Sequence, residues 1–152
     1  MKLPGRSTYN LLVMDYLIDA NVVMSMLITG KASYYTLAKH FRFYLPSYAL
    51  FELNEYKDVL FKQSRLQPSE VRDFARRLFP LLRIVPSLAI DPENHERAAM
   101  LTKSIDPKDQ EYLALALQLD AVFLSRDKPL ISGIKKNSFR NAMMFDEFLR
   151  GL

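Results

Sequence analysis

Short apolar runs that stop at an acid or a proline, set apart by long stretches of helical periodicity, restrict the fold of this chain more than any other feature. Tyr16-Leu17-Ile18 ends at Asp19, and Phe41 to Leu45 ends at Pro46. Leu81 to Val85 ends ahead of Pro86, and Ala121-Val122-Phe123-Leu124-Ser125 ends near Asp127. Asn141 to Phe145 adds a candidate edge strand. Runs this short read as strands, whereas the segments between them read as helices. Asn21 to Ile28 is a helix by length despite its β-branched residues. Ser47 to about Lys62 carries Leu50, Leu53, Tyr56, Val59 and Leu60 at helical spacing, and Pro68 opens a helix through Phe79. Asp91-Pro92 and Asp106-Pro107 mark two further helix starts, the second helix running to about Leu119, and Asp146 caps a last short one. Aspartate accepts from the free amides of a first turn, and proline at the next position gives up only an N–H that has no partner there. Strands alternating with helices imply βαβ units, hence an α/β fold with a mostly parallel sheet and helices on both faces.

The 152 residues suit a single domain spanning 1–152, in which residues 1–13 stand apart as an N-terminal extension. A domain of this size buries roughly two-thirds of its unfolded surface and needs no disulfide or structural metal. The absence of cysteine excludes disulfides, thiolate zinc sites and a cysteine nucleophile together. The most apolar stretch, Leu11 to Ile28, carries Asp15 and Asp19; a membrane span would hold both carboxylates at a cost of several kcal/mol. No small-residue cleavage site follows a clean apolar core, so no secretory signal is expected. The expectation is a cytoplasmic protein without a membrane segment. The net charge of +4 and pI near 9.3 favour a polyanionic partner weakly, through a field that carries no sequence information.

Ligands of parallel sheets bind outside the carboxyl ends of the strands. Asp19 and Asp127 each follow such an end. Glu52 lies in the first turns of the helix after the second strand, and Asp109 in the first turn after Asp106-Pro107. Helix starts that follow strands lie at the same edge, so the four acids can converge there. Four carboxylates together repel one another, and a divalent cation removes that penalty. Magnesium and manganese prefer oxygen ligands and keep several waters. A metal of this kind activates water and polarises a scissile phosphate. His40 and His95 lie outside the acidic segments, which leaves little from which to build a zinc hydrolase site.

The same segments resemble the acidic motifs of PIN domains. Ile18-Asp19-Ala20-Asn21 resembles the first, an aspartate ending strand one with a small residue and asparagine after it. Pro46-Ser47-Tyr48-Ala49-Leu50-Phe51-Glu52-Leu53 resembles the second, in which a helix after strand two carries a glutamate. Asp106-Pro107-Lys108-Asp109-Gln110-Glu111-Tyr112-Leu113-Ala114-Leu115-Ala116 resembles the third. Phe123-Leu124-Ser125-Arg126-Asp127-Lys128-Pro129-Leu130 resembles the fourth, a Ser/Thr-x-Asp at the end of strand four. No one motif is specific; the signal is four in order, each at the right kind of boundary, from about residue 14 to 149. The resemblance implies a three-layer α/β/α fold around a five-stranded parallel sheet. It also implies an endoribonuclease dependent on Mg2+ or Mn2+, with Asp19, Glu52, Asp109 and Asp127 as its catalytic and metal-binding residues, and often a homodimer. Many small prokaryotic members, VapC-like, are toxins neutralised by a small antitoxin. The chain departs from the pattern at Arg126, where many members have glycine, and in its longer N-terminal extension.

Each site residue also has a plainer reading. Asp19 caps the helix that follows, Glu52 is a solvated helix residue with Glu55 as its neighbour one turn on, and Asp109 favours the helix dipole. Asp127 forms a surface ion pair with Arg126 or Lys128. Asp106 is chiefly a cap, or else supports a metal. Asn21 orients Asp19, binds a metal water or shapes the turn, and Ser125 binds a carboxylate or water. Arg126 or Lys128 steadies a phosphate. Lys135, Lys136 and Arg140 form a basic cluster able to hold RNA phosphates, or a solvated face. Tyr34, Tyr35, Phe41, Phe43 and Tyr44 are mainly core, with one or two available to stack on a base. Two other functions compete with the ribonuclease. One is a metal-dependent phosphatase-like α/β protein, for which the second acid of an Asp-x-Asp is replaced by Asn21. The other is a catalytically silent PIN-fold interaction module, whose mark would be the loss of an acid.

Overall fold

Strand β1, Asp15–Ile18, lies at the centre of the sheet, and its residues Tyr16, Leu17 and Ile18 are fully buried. A strand covered on both faces reads as an unbroken apolar run, which is why this segment does not alternate. The computed structural model describes residues 14–103 and 105–152, so the N-terminal extension lies outside the described residues. From β1 the chain passes through α1 (Ala20–Thr29) and α2 (Ala32–His40) to β2 (Arg42–Pro46). It continues through α3 (Tyr48–Glu55), α4 (Lys57–Gln63) and α5 (Pro68–Leu78) to β3 (Arg83–Val85). Helix α6 (Pro92–Leu101), a 3-10 turn (Pro107–Asp109) and α7 (Gln110–Leu119) lead to β4 (Val122–Ser125). Helix α8 (Lys128–Lys136), β5 (Ala142–Met144) and α9 (Phe145–Arg150) complete the described chain.

The five strands are all parallel, in the order β3-β2-β1-β4-β5, and helices cover both faces in a three-layer α/β/α sandwich. Excursions from β1 first build outwards through β2 to β3, then return to the other side of β1 for β4 and β5. The chain therefore reverses its direction of growth between β1 and β4. That reversal opens a crevice at the carboxyl edge, where doubly wound sheets bind their ligands. Tyr16 pairs with Val122, Leu17 with Phe123 and Ile18 with Leu124. One step further along, this register sets Asp19 level with Ser125.

The expected strands are present within a residue or two of their sequence limits, but the helices differ in three places: one expected helix is divided, one was not expected, and the last starts after Met144, which leaves Asp146 inside its first turn rather than at its cap. Ser47 to Lys62 is two helices rather than one. Tyr56, at φ −99° and ψ 11°, is both the end of α3 and the start of α4. Between Leu53 and Leu60, which are buried, Asn54 to Val59 are all exposed, so no core contact holds the middle turn straight. Helix α2 has no counterpart in the sequence reading; it buries Ala38 alone and its first turn has no side-chain cap, so it shows neither a stripe nor a start signal.

The opposite, amino-terminal end of the sheet is closed by an aromatic cluster. Tyr16 lies against Phe41, Phe43 and Phe148, with ring centroids 4.9–6.2 Å apart. Phe41 and Phe43 are therefore core, and no base reaches them. Met26 and Leu27 are likewise buried in the chain's own core, and Met24 packs against it. Among the described residues, no helix is long and apolar enough to cross a membrane.

Candidate active site

Asp19 emerges from the carboxyl end of β1 as the cap of α1, its Oδ1 accepting from the Val22 N–H at 3.0 Å. Its other oxygen, Oδ2, accepts from the Ser125 hydroxyl at 2.5 Å. The Ser125 Oγ accepts in turn from the Asp127 N–H at 3.0 Å, and Asp127 Oδ1 accepts from the Leu130 N–H at 3.1 Å as the cap of α8. Asp19 and Asp127 are thus joined through one hydroxyl, a link that needs β1 and β4 side by side. Both aspartates cap helices: for Asp19 this is its plainer reading, whereas Asp127 caps α8 in place of the ion pair read from its sequence neighbours, and capping brings both to the crevice.

Glu52 is fixed by a different residue. Its Oε1 accepts from the Tyr112 hydroxyl, whose oxygen also accepts from the Ala20 N–H at 3.3 Å. Tyr112 lies on α7 one turn after Asp109 and is buried, so its ring is held by the core while its hydroxyl reaches the site. The amide occupies the oxygen of that hydroxyl, and its proton is left to point at Glu52. The sequence reading did not single out Tyr112. The signal was its position three residues after Asp109, on the same helix face. Glu55, the competitor of Glu52, is exposed and has no place in the lining.

The structure brings the four acids into one place. A cleft of about 650 Å³ is lined by Glu52, Asp109 and Asp127, with Asn21, Asp106, Tyr56, Lys108 and Lys136 among its other walls. Beneath it a pit of about 30 Å³ lies between Asp19, Asn21, Glu52, Asp109 and Tyr112. That is room enough for a water. Asp106 is confirmed as a cap, accepting from the Lys108 N–H at 3.0 Å, and also lines the cleft. Arg126 and Lys128 are absent from the lining; the Arg126 guanidinium lies 4.0 Å from Asp146 instead. The cations that line the cleft are Lys108 and Lys136.

Charge and burial leave their mark on the acids. Asp19 is 4% exposed, and its pKa is pushed up to about 6, by burial first and then by the charges of Glu52 and Asp127, against the pull of Ser125 and Val22. Asp109 is pushed up to about 7 by burial and by the neighbouring charges of Asp106, Asp19, Asp127 and Glu52. Its side chain has no hydrogen-bond or ion-pair partner among the described residues. Glu52 is raised by burial, against the opposing pull of Tyr112 and Lys108. Tyr112 is raised too, by burial and by Glu52, so its hydroxyl keeps its proton at any ordinary pH.

As donors the four side chains offer oxygen alone. His40 is turned to the Thr36 carbonyl at 2.8 Å, and His95 lies in a neighbouring hollow. Carboxylates crowded together without a cation fit a hard divalent ion such as magnesium or manganese and fit zinc poorly. The set is open: among the described residues, no three His, Asp or Glu side chains are drawn tightly enough to hold an ion as they stand.

A family model described as the PIN domain matches residues 17–145, from β1 to the start of α9. Three solved structures share the fold at low identity. PAE2754 of Pyrobaculum aerophilum superposes with a TM-score of 0.64 at 12% identity, over 90% of this chain and 87% of its own. VapBC2 of Rickettsia felis, solved with a DNA fragment from its promoter, gives 0.58 at 17% identity over 86% and 97%. The PilT N-terminus domain protein SSO1118 of Sulfolobus solfataricus gives 0.51 at 15% identity over 91% and 92%. No curated protein sequence matches the chain. With its matched span running through all four acidic segments, the chain belongs to the PIN-domain family.

Proposed function

We propose that the protein is an endoribonuclease that hydrolyses RNA phosphodiesters with Mg2+ or Mn2+ held by Asp19, Glu52, Asp109 and Asp127. Family membership supports a nuclease in the broad sense. The observation that carries the finer reading is the gathering of four carboxylates at the reversal point of a parallel sheet, two of them with pKa values well above the usual carboxylate range. An arrangement that costs the ion-free protein stability is expected of a site built for a cation.

When bound, a divalent ion supplies charge neutralisation, a polarised phosphate and an activated water. The protein's own residues divide the remaining work. Ser125 and the Val22 amide hold both oxygens of Asp19, which therefore cannot turn away from the pit. Tyr112 holds one oxygen of Glu52 and leaves the other to the cleft. The α8 cap fixes Asp127 by one oxygen, and Asp109 faces the cleft from the start of α7. Lys108 and Lys136, which line the cleft with the acids, offer positive charge to backbone phosphates. Arg126, paired with Asp146, is not assigned that duty. A toxin role with a small antitoxin, a second copy of the chain as partner and a cytoplasmic location belong to the same proposal. The VapBC2 likeness supports the antitoxin partner at the level of fold alone.

The test is cleavage of a labelled RNA with magnesium, with manganese and with EDTA. Cleavage is expected with either metal and not with EDTA. Asp19→Asn and Asp127→Asn each keep the side-chain shape and remove a negative oxygen, and each is expected to lower cleavage at least a hundredfold. A preparation whose activity ignores both substitutions carries a contaminating ribonuclease, and the proposal fails.

A further inference from the structure

We propose that Tyr56 and Lys108 form a substrate subsite beside the acids, in which the Tyr56 ring stacks on a nucleobase and the Lys108 ammonium holds a neighbouring backbone phosphate. The proposal rests on the ribonuclease reading and adds to it the residues that choose where on the strand the acids act.

Tyr56 occupies the seam between α3 and α4, four residues beyond Glu52. Residues four apart share a helix face, so the ring stands on the side that Glu52 turns to the cleft. It is 47% exposed and lines the cleft together with Glu52, Asp109 and Asp127. A single exposed aromatic on a protein surface is ordinary. This one shares a wall with Glu52, Asp109, Asp127 and Lys108, one turn from a site acid, and it is not among the residues of the core. The helix is distorted at this very residue, so the exposed ring is carried by a turn that no buried contact explains.

Lys108 completes the subsite. Its ammonium lies 3.7 Å from Asp106 and lines the cleft together with Tyr56. A second hollow of about 300 Å³, lined by Tyr48, His95, Pro107, Lys108, Gln110 and Glu111, adjoins the first at Lys108. A strand leaving the acids therefore passes Lys108 on its way into a second recess with an aromatic wall. Stacking of one base on one aromatic side chain contributes about 1–3 kcal/mol, roughly 5- to 150-fold in affinity. A neutral ring accepts any base, so it selects for a base that is unpaired and free to lie flat rather than for a sequence.

The test compares the parent with Tyr56→Phe, Tyr56→Ala and Lys108→Ala on a single-stranded oligoribonucleotide. A matched series carries one abasic nucleotide walked through the positions around the cut. Tyr56→Phe is expected to match the parent, and Tyr56→Ala to lose about tenfold in kcat/KM. At one position the abasic substrate is expected to cost the parent that same factor and to cost Tyr56→Ala nothing further. Lys108→Ala is expected to lower the salt dependence of binding by about one phosphate contact. The subsite is overturned if Tyr56→Ala, with an unchanged melting temperature, equals the parent on intact RNA, or if the abasic penalty is the same in both. A loss of self-association in Tyr56→Ala without any change in kcat/KM would make the ring a protein contact and overturn it as well. A parent that cleaves no RNA brings down the ribonuclease reading itself, whereas an active parent with an indifferent Tyr56→Ala brings down the subsite alone.

Discussion

Tyr112 shows how a site residue escapes a reading of acids. Its neighbours in sequence, Leu113 to Ala116, are buried, and a tyrosine in such a run reads as core. Ring and hydroxyl serve different ends, and only the packed molecule shows where the hydroxyl goes. Tyr112→Phe keeps the ring and removes the donor to Glu52 and the acceptor for the Ala20 amide. We expect a loss of about 1–2 kcal/mol in stability in urea, since two polar groups lose a partner. We also expect weaker magnesium binding by calorimetry and severalfold lower cleavage. A variant that loses stability but binds magnesium as the parent does would make Tyr112 a packing residue. The four acids themselves were legible, because each follows a strand end or opens a helix and their motifs occur in family order. The cations were not. Arg126 and Lys128 flank Asp127 in sequence, but the direction of a side chain depends on where a strand stops and a cap begins. Here that turn sends Arg126 to Asp146 and leaves the lining to Lys108 and Lys136.

Elements were read well where a proline or a capping acid punctuated them. Pro46, Pro68, Asp91-Pro92 and Asp106-Pro107 each stand at or beside an element boundary. Where punctuation is missing the reading fails, as it does for α2 and for the seam at Tyr56. The end of α1 has a clear stop in Gly30, whose φ of +58° lies in the left-handed region and whose N–H bonds the Met26 carbonyl. A Cβ at that position would lie 2.7 Å from a methyl group of Leu66. Gly30→Ala therefore meets both a backbone penalty and a close contact, and it is expected to cost about 1–2 kcal/mol by urea unfolding. Because α1 begins at Asp19, the same variant is expected to keep its metal site if the damage stays at the far end of the helix; magnesium calorimetry checks this.

At the scale of the whole molecule, the strand order was beyond the reach of the sequence. Alternating elements announce a parallel sheet, but which strand lies beside which depends on contacts between residues a hundred positions apart. The stability of the whole chain should report the crowded acids. Asp19 and Asp109, pushed up to about 6 and about 7 from an ordinary 3.8, keep in the folded state protons that the unfolded chain has already released. Stability therefore falls as pH rises from about 4 to about 7, and the penalty is complete above that window. For buried Asp19 it is on the order of 3 kcal/mol. Melting temperatures in EDTA are expected to decline across this range, to flatten when magnesium is added, and to decline less for Asp19→Asn. A flat profile in EDTA would mean that the acids are not crowded. The pairing of β1 with β4 has a further consequence, for the order of events during synthesis. Asp19 is made early, but Ser125, which orients it, follows 106 residues later. A nascent chain still short of β4 therefore has no assembled crevice.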